Sequence, residues 1–492
     1  MSYAYLMNKK FLILVPVLLA LIISQLPVPQ GLLPYSWYYF SLFVGVIVAL
    51  IIEPLPGAVI GLLGIVIGAV FSPVFLFSPE QLHSLGVNTT LMAFHWAVSG
   101  FSNDTVWLIF SAFMFALGYE KTGLGKRISL WLVRLMGART LTLGYAISFA
   151  DLLLAPFTPS NTARSAGTIY PVIRNLPTLY GSCPHDESAR KIGAYLMWTA
   201  VSTTCVTSSF FLSALAPNLL SVALIEQQTG ILIGWTDWFI SLLPTGIILW
   251  SVTPLLGYYL YPPTEKKNDQ VPVWAKEQLS QMGRLTTKEV ILILLVVAAL
   301  ILWVGCSGFI DPAIASLVII SLMILTDIIS WDDIVNNKNA WNTFFWFATL
   351  VALASGLSEV GFVRWAGDQI AGTLSGFGEL FTILALVVLY FFLHYFFASG
   401  TAHVTALLPL MIAVVSQMDG VNVLAFSLLL CGTQGIMGVI TPYATGPSPI
   451  YYGSGYIKPS EYWCLGFVFG AIYFLVYIAI EYPWLKYLWG GI

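Results

Sequence analysis

The chain has 492 residues, of which 58% are hydrophobic and 9% are charged, and its mean hydropathy is +0.86. Soluble globular domains carry about 25% charged residues, so this composition excludes them and indicates a polytopic membrane protein. The formal net charge is −3 at pH 7, and nucleic acid is not among the predicted partners.

Apolar runs long enough to cross the roughly 30 Å hydrocarbon core of a bilayer recur along the chain. Eleven such spans are predicted, over residues 11–27, 36–53, 56–77, 104–120, 192–216, 234–261, 289–306, 312–330, 341–361, 420–448 and 462–485. Two further apolar segments, 140–173 and 377–413, contain polar breaks and are predicted to be re-entrant hairpins. The predicted fold is therefore all-α, with eleven transmembrane helices and two hairpins.

The first hairpin, 140–173, contains a break that reads APFTPSNTAR. Unpaired peptide groups are costly in lipid, so a broken helix at membrane depth is tolerated only where it is buried in protein or lines a watery cavity. Ser160, Asn161 and Thr162 lie where the second half-helix begins. Serine and asparagine are N-cap residues, and the free N–H groups at a helix start attract anions. We therefore predict that these three residues bind an anionic substrate.

Arg164 follows Thr162 by two residues, in the first turn of that half-helix. A guanidinium is planar, and its paired N–H donors match the geometry of a carboxylate. One interpretation makes Arg164 a fixed counter-charge for the substrate. The alternative is a buried ion pair with Asp151, which leaves room for a functional role.

Two polar spans are candidates for the floor of the same site. In the span 192–216, Thr207 and Ser208 belong to the hydroxyl-rich run STTCVTSS. The C-terminal candidates, which lie among prolines that free backbone carbonyls at mid-membrane depth, are Thr441, Pro442 and Thr445. Serine and threonine in a span also bond to their own helix, so each hydroxyl keeps that structural alternative.

The second hairpin, 377–413, repeats the hydroxyl pattern of the first. Its break contains Ser399, Gly400 and Thr401, and His403 takes the position of the arginine in the first break. We predict that the first three residues contact the substrate and that His403 is a second fixed counter-charge. The alternative for His403 is a satisfied histidine of the core.

An offset of 238 residues relates the two halves of the chain, since Thr105 aligns with Thr343 and Gly123 with Gly361. An odd number of predicted crossings separates the copies, so the second copy is predicted to be inverted, which is the architecture of alternating access. The predicted parts are N-terminal scaffold spans at 1–103, repeat 1 at 104–261, a cytoplasmic linker at 262–288, further scaffold spans at 289–341 and repeat 2 at 342–492.

Lysine and arginine residues set the predicted orientation. With the N-terminus inside and eleven crossings, nearly all of them fall on the cytoplasmic side, and only Arg364 and Lys486 fall outside. The C-terminus is then external. The predicted location is the plasma membrane, which is the inner membrane of a bacterial cell.

Three segments carry a family resemblance: PSNTARSAG at 159–167, SGTAH at 399–403 and TPYATGP at 441–447. With them the chain resembles the divalent anion:sodium symporter family, and most closely its branch of citrate, tartrate and oxoglutarate/malate translocators. The resemblance extends over essentially the whole chain. It implies a homodimer in the lipid bilayer, in which each protomer has a scaffold part and a mobile transport part that carries di- or tricarboxylates by an elevator movement.

In the sodium-coupled members of that family, both hairpins carry Ser-Asn-Thr, which binds substrate carboxylates and frames two sodium sites. The first hairpin of this chain matches fully. The second departs from the pattern at Gly400, which removes one side-chain oxygen ligand of the second sodium site.

The predicted function is the exchange of di- or tricarboxylates such as succinate, malate, oxoglutarate or citrate. A site with a permanent guanidinium is cationic when empty, and a bare charge at bilayer depth costs at least ~3 kcal/mol, so only counter-substrate would let the carrier return. The alternative is Na⁺-coupled dicarboxylate symport, with Na⁺ near Ser160 and Asn161. No enzymatic activity, cofactor or other metal site is predicted, because the sequence contains no hydrolytic motif.

Overall fold

The computed structural model describes residues 3–83, 88–306, 309–374, 378–418 and 420–490, so residue 377 of the predicted second hairpin lies outside it. These ranges are helical and contain no strand, which confirms the all-α class. The α-helices of nine or more residues are Tyr3–Gln25 (α1), Pro34–Ile52 (α2), Gly57–Val70 (α3), Thr89–Val98 (α4), Asp104–Thr122 (α5), Leu124–Met136 (α6), Thr140–Leu154 (α7), Gly193–Phe210 (α8), Ala216–Thr229 (α9), Trp235–Leu260 (α10), Gln270–Met282 (α11), Thr287–Gly305 (α12), Pro312–Leu325 (α13), Lys338–Glu359 (α14), Phe362–Leu374 (α15), Glu379–Leu393 (α16), Gly400–Val415 (α17), Val423–Cys431 (α18) and Pro459–Trp489 (α19).

Shorter helical turns connect these helices. The short α-helices are Ser72–Phe75, Pro79–His83, Tyr170–Ile173, Trp331–Asn336, Thr433–Ile436 and Ser448–Gly453. The 3₁₀ turns are Ser99–Ser102, Ala155–Phe157, Pro177–Tyr180, Glu187–Lys191, Leu212–Ala214, His394–Phe396 and Met437–Val439. One stretch, Thr162–Ile169, is π-helical.

Within the described ranges, eight helical stretches are long and apolar enough to cross a membrane. They are Pro34–Ile52, Thr89–Thr122, Thr140–Phe157, Trp235–Leu260, Thr287–Gly305, Lys338–Glu359, Glu379–Phe396 and Pro459–Trp489. Shorter apolar helices are Leu12–Gln25, Gly57–Val70, Pro312–Leu325, Gly400–Val415 and Val423–Val439. A helix satisfies its own backbone groups in lipid, so these segments make the chain an integral membrane protein. The total of eleven spans stays a prediction.

The two halves of the chain share an order of elements. α5 begins after the N-cap Asn103 and is followed by Gly123 at a φ of +74°, while α14 begins after the N-cap Asn337 and leads to Gly361 at a φ of +78°. Positive φ favours glycine, and each glycine starts an amphipathic helix, α6 or α15. α7 and α16 then each lead through a 3₁₀ turn to one of the two breaks. An internal repeat predicts this order, and the inversion of the second copy stays a prediction.

Buried apolar side chains form two clusters. The smaller cluster joins α2, α3 and α4 to α14 and α15, and in it the buried Tyr39 hydroxyl donates to the Leu353 carbonyl at 2.7 Å. The larger cluster contains side chains from α5, α8, α10, α17 and α19. α14 contributes to both clusters, so it connects the N-terminal helices to the part of the protein that contains the breaks.

The predicted linker, 262–288, is ordered in the structure. It contains α11, which packs against α6. The Arg127 guanidinium holds the end of α11, because it donates to the carbonyls of Met282 and Gly283 and to the Glu289 carboxylate, whose Oε1 lies 2.5 Å from Nε. The segment therefore packs onto repeat 1.

Candidate functional site

The first break follows α7. A 3₁₀ turn, Ala155–Phe157, leads into the extended residue Thr158, and the helix resumes after Ser160. The hydroxyl of Ser160 accepts the N–H of Ala163 at 3.2 Å, which is the interaction of an N-cap. The half-helix that follows is π-helical over Thr162–Ile169. π-helical turns are rare and frequently lie at functional sites.

Arg164 is 1% exposed, and all three of its side-chain nitrogens are occupied. Nε lies 3.3 Å from each carboxylate oxygen of Asp151. Nη1 donates to the carbonyls of Thr158 and Ala214, both at 2.9 Å. The hydroxyls that accept from Nη2 are those of Thr204 at 3.3 Å, Thr207 at 3.4 Å and Ser208 at 3.0 Å. The structure thus forms the alternative arrangement, a buried ion pair with Asp151.

This pairing corrects the electrostatic argument for exchange. Without a partner, the Arg164 guanidinium would be a bare cation in the empty carrier. The Asp151 carboxylate at 3.3 Å compensates that charge inside the protein, and Asp151 also accepts a hydrogen bond from the Thr207 hydroxyl. The pair carries no net charge, so Arg164 gives no electrostatic reason to expect a slow return of an empty carrier.

Asn161 joins the first break to the proline-rich segment 441–447, which is called the C-terminal break below. Its Nδ2 donates to the Thr445 hydroxyl at 2.7 Å and to the Ser208 hydroxyl at 3.4 Å. Thr162 approaches the same segment, because a Cβ added to Gly446 would lie 1.8 Å from Thr162 Oγ1. Any side chain at position 446 would therefore force Thr162 to move. The structure thus brings together predicted site residues from three separate segments of the chain.

The second break lies close to the first, because both contact the start of α9. Ser399 caps α17 through its side chain. Gly400 lies against Pro217 at the start of α9, since a Cβ at position 400 would lie 3.3 Å from Pro217 Cγ. The neighbouring Ala216 N–H donates to the Pro159 carbonyl of the first break at 2.9 Å. The start of α9 therefore contacts both breaks.

His403 is fully buried next to the second break. Its ring centroid lies 4.4 Å from that of Tyr390, 5.0 Å from that of His394 and 5.1 Å from that of Phe397. Neither ring nitrogen has a hydrogen-bond partner among the residues that the structure describes. The predicted role of His403 as a counter-charge stays a prediction.

The remaining predicted residues are Thr401, Thr441 and Pro442. Thr401 is buried in the first turn of α17, and its carbonyl accepts from the Thr405 hydroxyl at 2.8 Å. Thr441 is buried and its hydroxyl accepts the N–H of Tyr443 at 3.4 Å, while Pro442 is half-buried. Their predicted contact with substrate stays a prediction.

A cavity of about 700 Å³ reaches the first break. Ser160 and Thr162 line it, whereas the other predicted site residues, within the described ranges, do not. Polar residues that the sequence analysis missed also line it; they are Glu120, Asn337, Asn339, Asn342 and Thr343. The asparagine spacing in NKNAWN, at the start of α14, is the signal that could have identified most of them.

Comparisons with known proteins agree with this architecture. A family model described as the sodium:sulfate symporter transmembrane region matches residues 7–490. The L-tartrate/succinate antiporters of Escherichia coli (strain K12) and Shigella sonnei (strain Ss046) are each 51% identical to the chain over 472 residues, which is 96% of this chain and 97% of theirs. The crystal structure of the YdaH transporter of Alcanivorax borkumensis matches with a TM-score of 0.58 at 15% identity, over 88% of this chain and 99% of that one. This last likeness concerns the fold alone.

Proposed function

The chain belongs to the divalent anion:sodium symporter family, and we propose that it exchanges dicarboxylates across the membrane by an elevator movement. It is a transporter and not an enzyme. The relatives named above exchange L-tartrate and succinate, each of which carries two carboxylates. Succinate and tartrate are therefore the first substrates to test, and malate, oxoglutarate and citrate are the next.

The observation that carries the proposal is the position of the first break at a cavity. Ser160 and Thr162 line the cavity where a half-helix begins. Hydroxyl groups and the positive end of a helix favour a carboxylate. The hydrogen bond from Asn161 to Thr445 holds the first break against the C-terminal break. One carboxylate of the substrate is proposed to bind at Ser160 and Thr162, and the other at the second break.

The contacts of Arg164 argue against sodium coupling at the first break. In transporters with broken helices, unwound backbone carbonyls coordinate Na⁺. Here the carbonyls of Thr158 and Ala214 already accept from Arg164 Nη1 at 2.9 Å. A guanidinium stays charged and attached to the chain, so it occupies oxygen atoms that a cation would need. The exchange is therefore proposed to be independent of sodium.

The need for counter-substrate then follows from hydroxyl donors that would lose their hydrogen-bond acceptors when the carrier moves empty. When the transport part moves without substrate, the O–H donors of Ser160 and Thr162 leave water without a new acceptor, although Ser160 Oγ keeps the N–H of Ala163. Each buried unsatisfied group costs about 1–3 kcal/mol. Two such groups raise the barrier by ~2–6 kcal/mol, which slows the movement by a factor of ~30 to ~20,000. Substrate bound on either side removes this penalty.

We also propose that the chain forms a homodimer and that its orientation in the membrane follows from the residues at the cavity. Glu120 and Asn337 line the cavity next to Lys121 and Lys338, which the positive-inside rule assigns to the cytoplasm. The structure is therefore proposed to be an inward-open state, with the N-terminus in the cytoplasm and the C-terminus outside. Cysteine accessibility at Asn339 from each side of oriented vesicles tests this assignment.

Counterflow in sodium-free liposomes tests the exchange itself. Vesicles preloaded with succinate are expected to take up labelled succinate or tartrate at least ~30-fold faster than empty vesicles, from the lower bound of the desolvation penalty. Equal rates in empty and loaded vesicles would refute obligate exchange. A strict requirement for sodium would instead support the symporter.

A variant of the first break tests the site. Asn161→Ala removes the bonds to Thr445 and Ser208, and we expect uptake to fall by a factor of about five or more in a folded protein, because each bond between neutral groups contributes ~0.5–1.5 kcal/mol. The matched control is Asn175→Ala. Asn175 is exposed just after the predicted hairpin, and its amide donates to the Pro171 carbonyl. Parental uptake by Asn161→Ala would make the break a structural feature only.

A further inference from the structure

We propose that a groove beside α6 binds an anionic phospholipid. The groove has a volume of about 590 Å³ and lies between α6, α11 and the start of α12. It is separate from the cavity at the first break, and its binding of lipid goes beyond dicarboxylate exchange. Its occupant is identified by an apolar wall, by uncompensated positive charge and by its position at the end of a membrane span.

The wall of the groove is apolar and faces outward. Trp131 of α6 is 54% exposed, and Leu285 and Ile293 are also exposed. On the opposite face of α6, Leu130 and Val133 are buried. Tryptophan is enriched at membrane–water boundaries, and α6 starts immediately after α5, which ends a candidate span. The groove therefore lies where acyl chains and lipid headgroups meet.

The charge in the groove is positive. Arg127, Arg134 and Lys276 are among its lining residues. Arg127 is neutralised, because it donates to the Glu289 carboxylate at 2.5 Å. Arg134 and Lys276 are exposed and have no ion-pair partner among the described residues. Two free cations thus remain beside an apolar surface.

An amphiphile with an anionic head complements both features. Basic pockets between helices at a membrane face bind anionic lipid headgroups. A soluble phosphate would use the cations and leave Trp131 and Leu285 in contact with water. A zwitterionic lipid would use the apolar wall and leave the cations uncompensated. The geometry therefore points to a phospholipid with net negative charge, for which phosphatidylglycerol is the probe.

The position of the groove gives the lipid a function in movement. α6 connects α5 to α7, the first arm of the hairpin. α6 also packs closely on α11, because a Cβ at Gly137 would lie 2.8 Å from Val271 Cγ1. A lipid bound between α6 and α11 would limit the movement of α6 relative to α11. Its expected effect is therefore on the rate of exchange and not on the affinity for dicarboxylate.

Native mass spectrometry of the purified full-length protein tests the binding. A cation near a membrane surface contributes a factor of roughly five to the affinity for anionic lipid. Arg134→Gln with Lys276→Gln is therefore expected to weaken phosphatidylglycerol binding by roughly 25-fold. The matched control is Arg174→Gln with Lys338→Gln, two exposed cations without an ion pair in the described ranges and outside the groove. It is expected to bind like the parent.

Three results would overturn the proposal. The first is equal binding of phosphatidylglycerol by the groove variant and the parent. The second is equal binding of phosphatidylcholine and phosphatidylglycerol by the parent, and the third is full displacement of the lipid by glycerol phosphate, which would leave a soluble-anion site. Melting curves of each variant verify that it is folded. The binding measurement requires no transport, so its failure is distinct from a failure of the exchange proposal.

Discussion

Arg164→Lys keeps a positive charge but removes the guanidinium fork, and we expect this variant to lose both stability and transport. In the structure, the fork donates to the Asp151 carboxylate and to the carbonyls of Thr158 and Ala214 at the same time. An ammonium is a compact point charge, and it cannot reproduce that planar set of contacts. Two buried carbonyls without donors cost about 1–3 kcal/mol each, which gives a loss of ~2–6 kcal/mol.

Neutral variants separate the ion pair from the hydrogen bonds. Arg164→Met leaves Asp151 buried without a cation, and breaking a buried pair in this way costs about 3–5 kcal/mol. Asp151→Asn leaves the guanidinium uncompensated, with a similar penalty. The double variant buries neither charge, so its loss of stability is expected to be smaller than the sum of the two single losses.

Thermal melting of the detergent-solubilised protein measures these differences. At the 2–4 °C per kcal/mol typical of domains of 150–250 residues, a loss of ~3 kcal/mol lowers the Tm by ~6–12 °C. The control is Arg174→Lys, because Arg174 is exposed just after the predicted hairpin. An Arg164→Lys variant with parental Tm and parental uptake would refute this reasoning and would return Arg164 to the role of a simple counter-charge for substrate.

Two further predictions concern a close contact and a surface ion pair. Gly446→Ala places a Cβ 1.8 Å from Thr162 Oγ1, so we expect at least tenfold slower uptake, whereas Gly453→Ala meets open space and serves as the control; equal uptake by the two variants would contradict the contact. The Lys121 ammonium donates to Asp333 and lowers the pKa of that carboxyl from 3.8 to about 2. Because the folded pKa is the lower one, the pair stabilises the protein above about pH 4 and its contribution is lost as the pH falls towards about 2. The difference in Tm between parent and Asp333→Asn is expected to correspond to less than ~1 kcal/mol and to narrow only below about pH 4; a difference that changes between about pH 8 and pH 5 would contradict this assignment.

Hydropathy predicted the long spans closely. The predicted spans 36–53, 234–261 and 289–306 correspond to Pro34–Ile52, Trp235–Leu260 and Thr287–Gly305, with ends that differ by at most two residues. The reason is that the lipid boundary and the apolar run end at the same place, and polar or proline residues mark both. The first break was also readable, because Pro156 and Pro159 stand close together next to the cap residues Ser160 and Asn161, whereas single prolines such as Pro244 stay inside helix α10.

Long-range contacts could not be read from the chain. The acceptors of Arg164 extend from Asp151 to Ala214, and their meeting depends on how α8 packs against the first break. The spacing between residues 151 and 164 indicates that a pair is possible but not which way the side chain points. That direction depends on the π-helical turn at Thr162–Ile169, for which the sequence has no clear signal. For the same reason, the sequence predicts a linker over 262–288 but not that α11, which lies within it, packs on α6.

The two breaks differ because their surroundings differ. Asn161 has room for its amide and finds acceptors in Thr445 and Ser208. Position 400 has less room, because Pro217 Cγ lies 3.3 Å from where a Cβ would stand. Glycine at 400 therefore permits close packing of the second break against the start of α9, in addition to removing an oxygen ligand. A larger residue at position 400 would press on Pro217, whereas the amide of Asn161 meets two hydroxyl acceptors, so the two breaks differ in what surrounds the middle residue of each pattern.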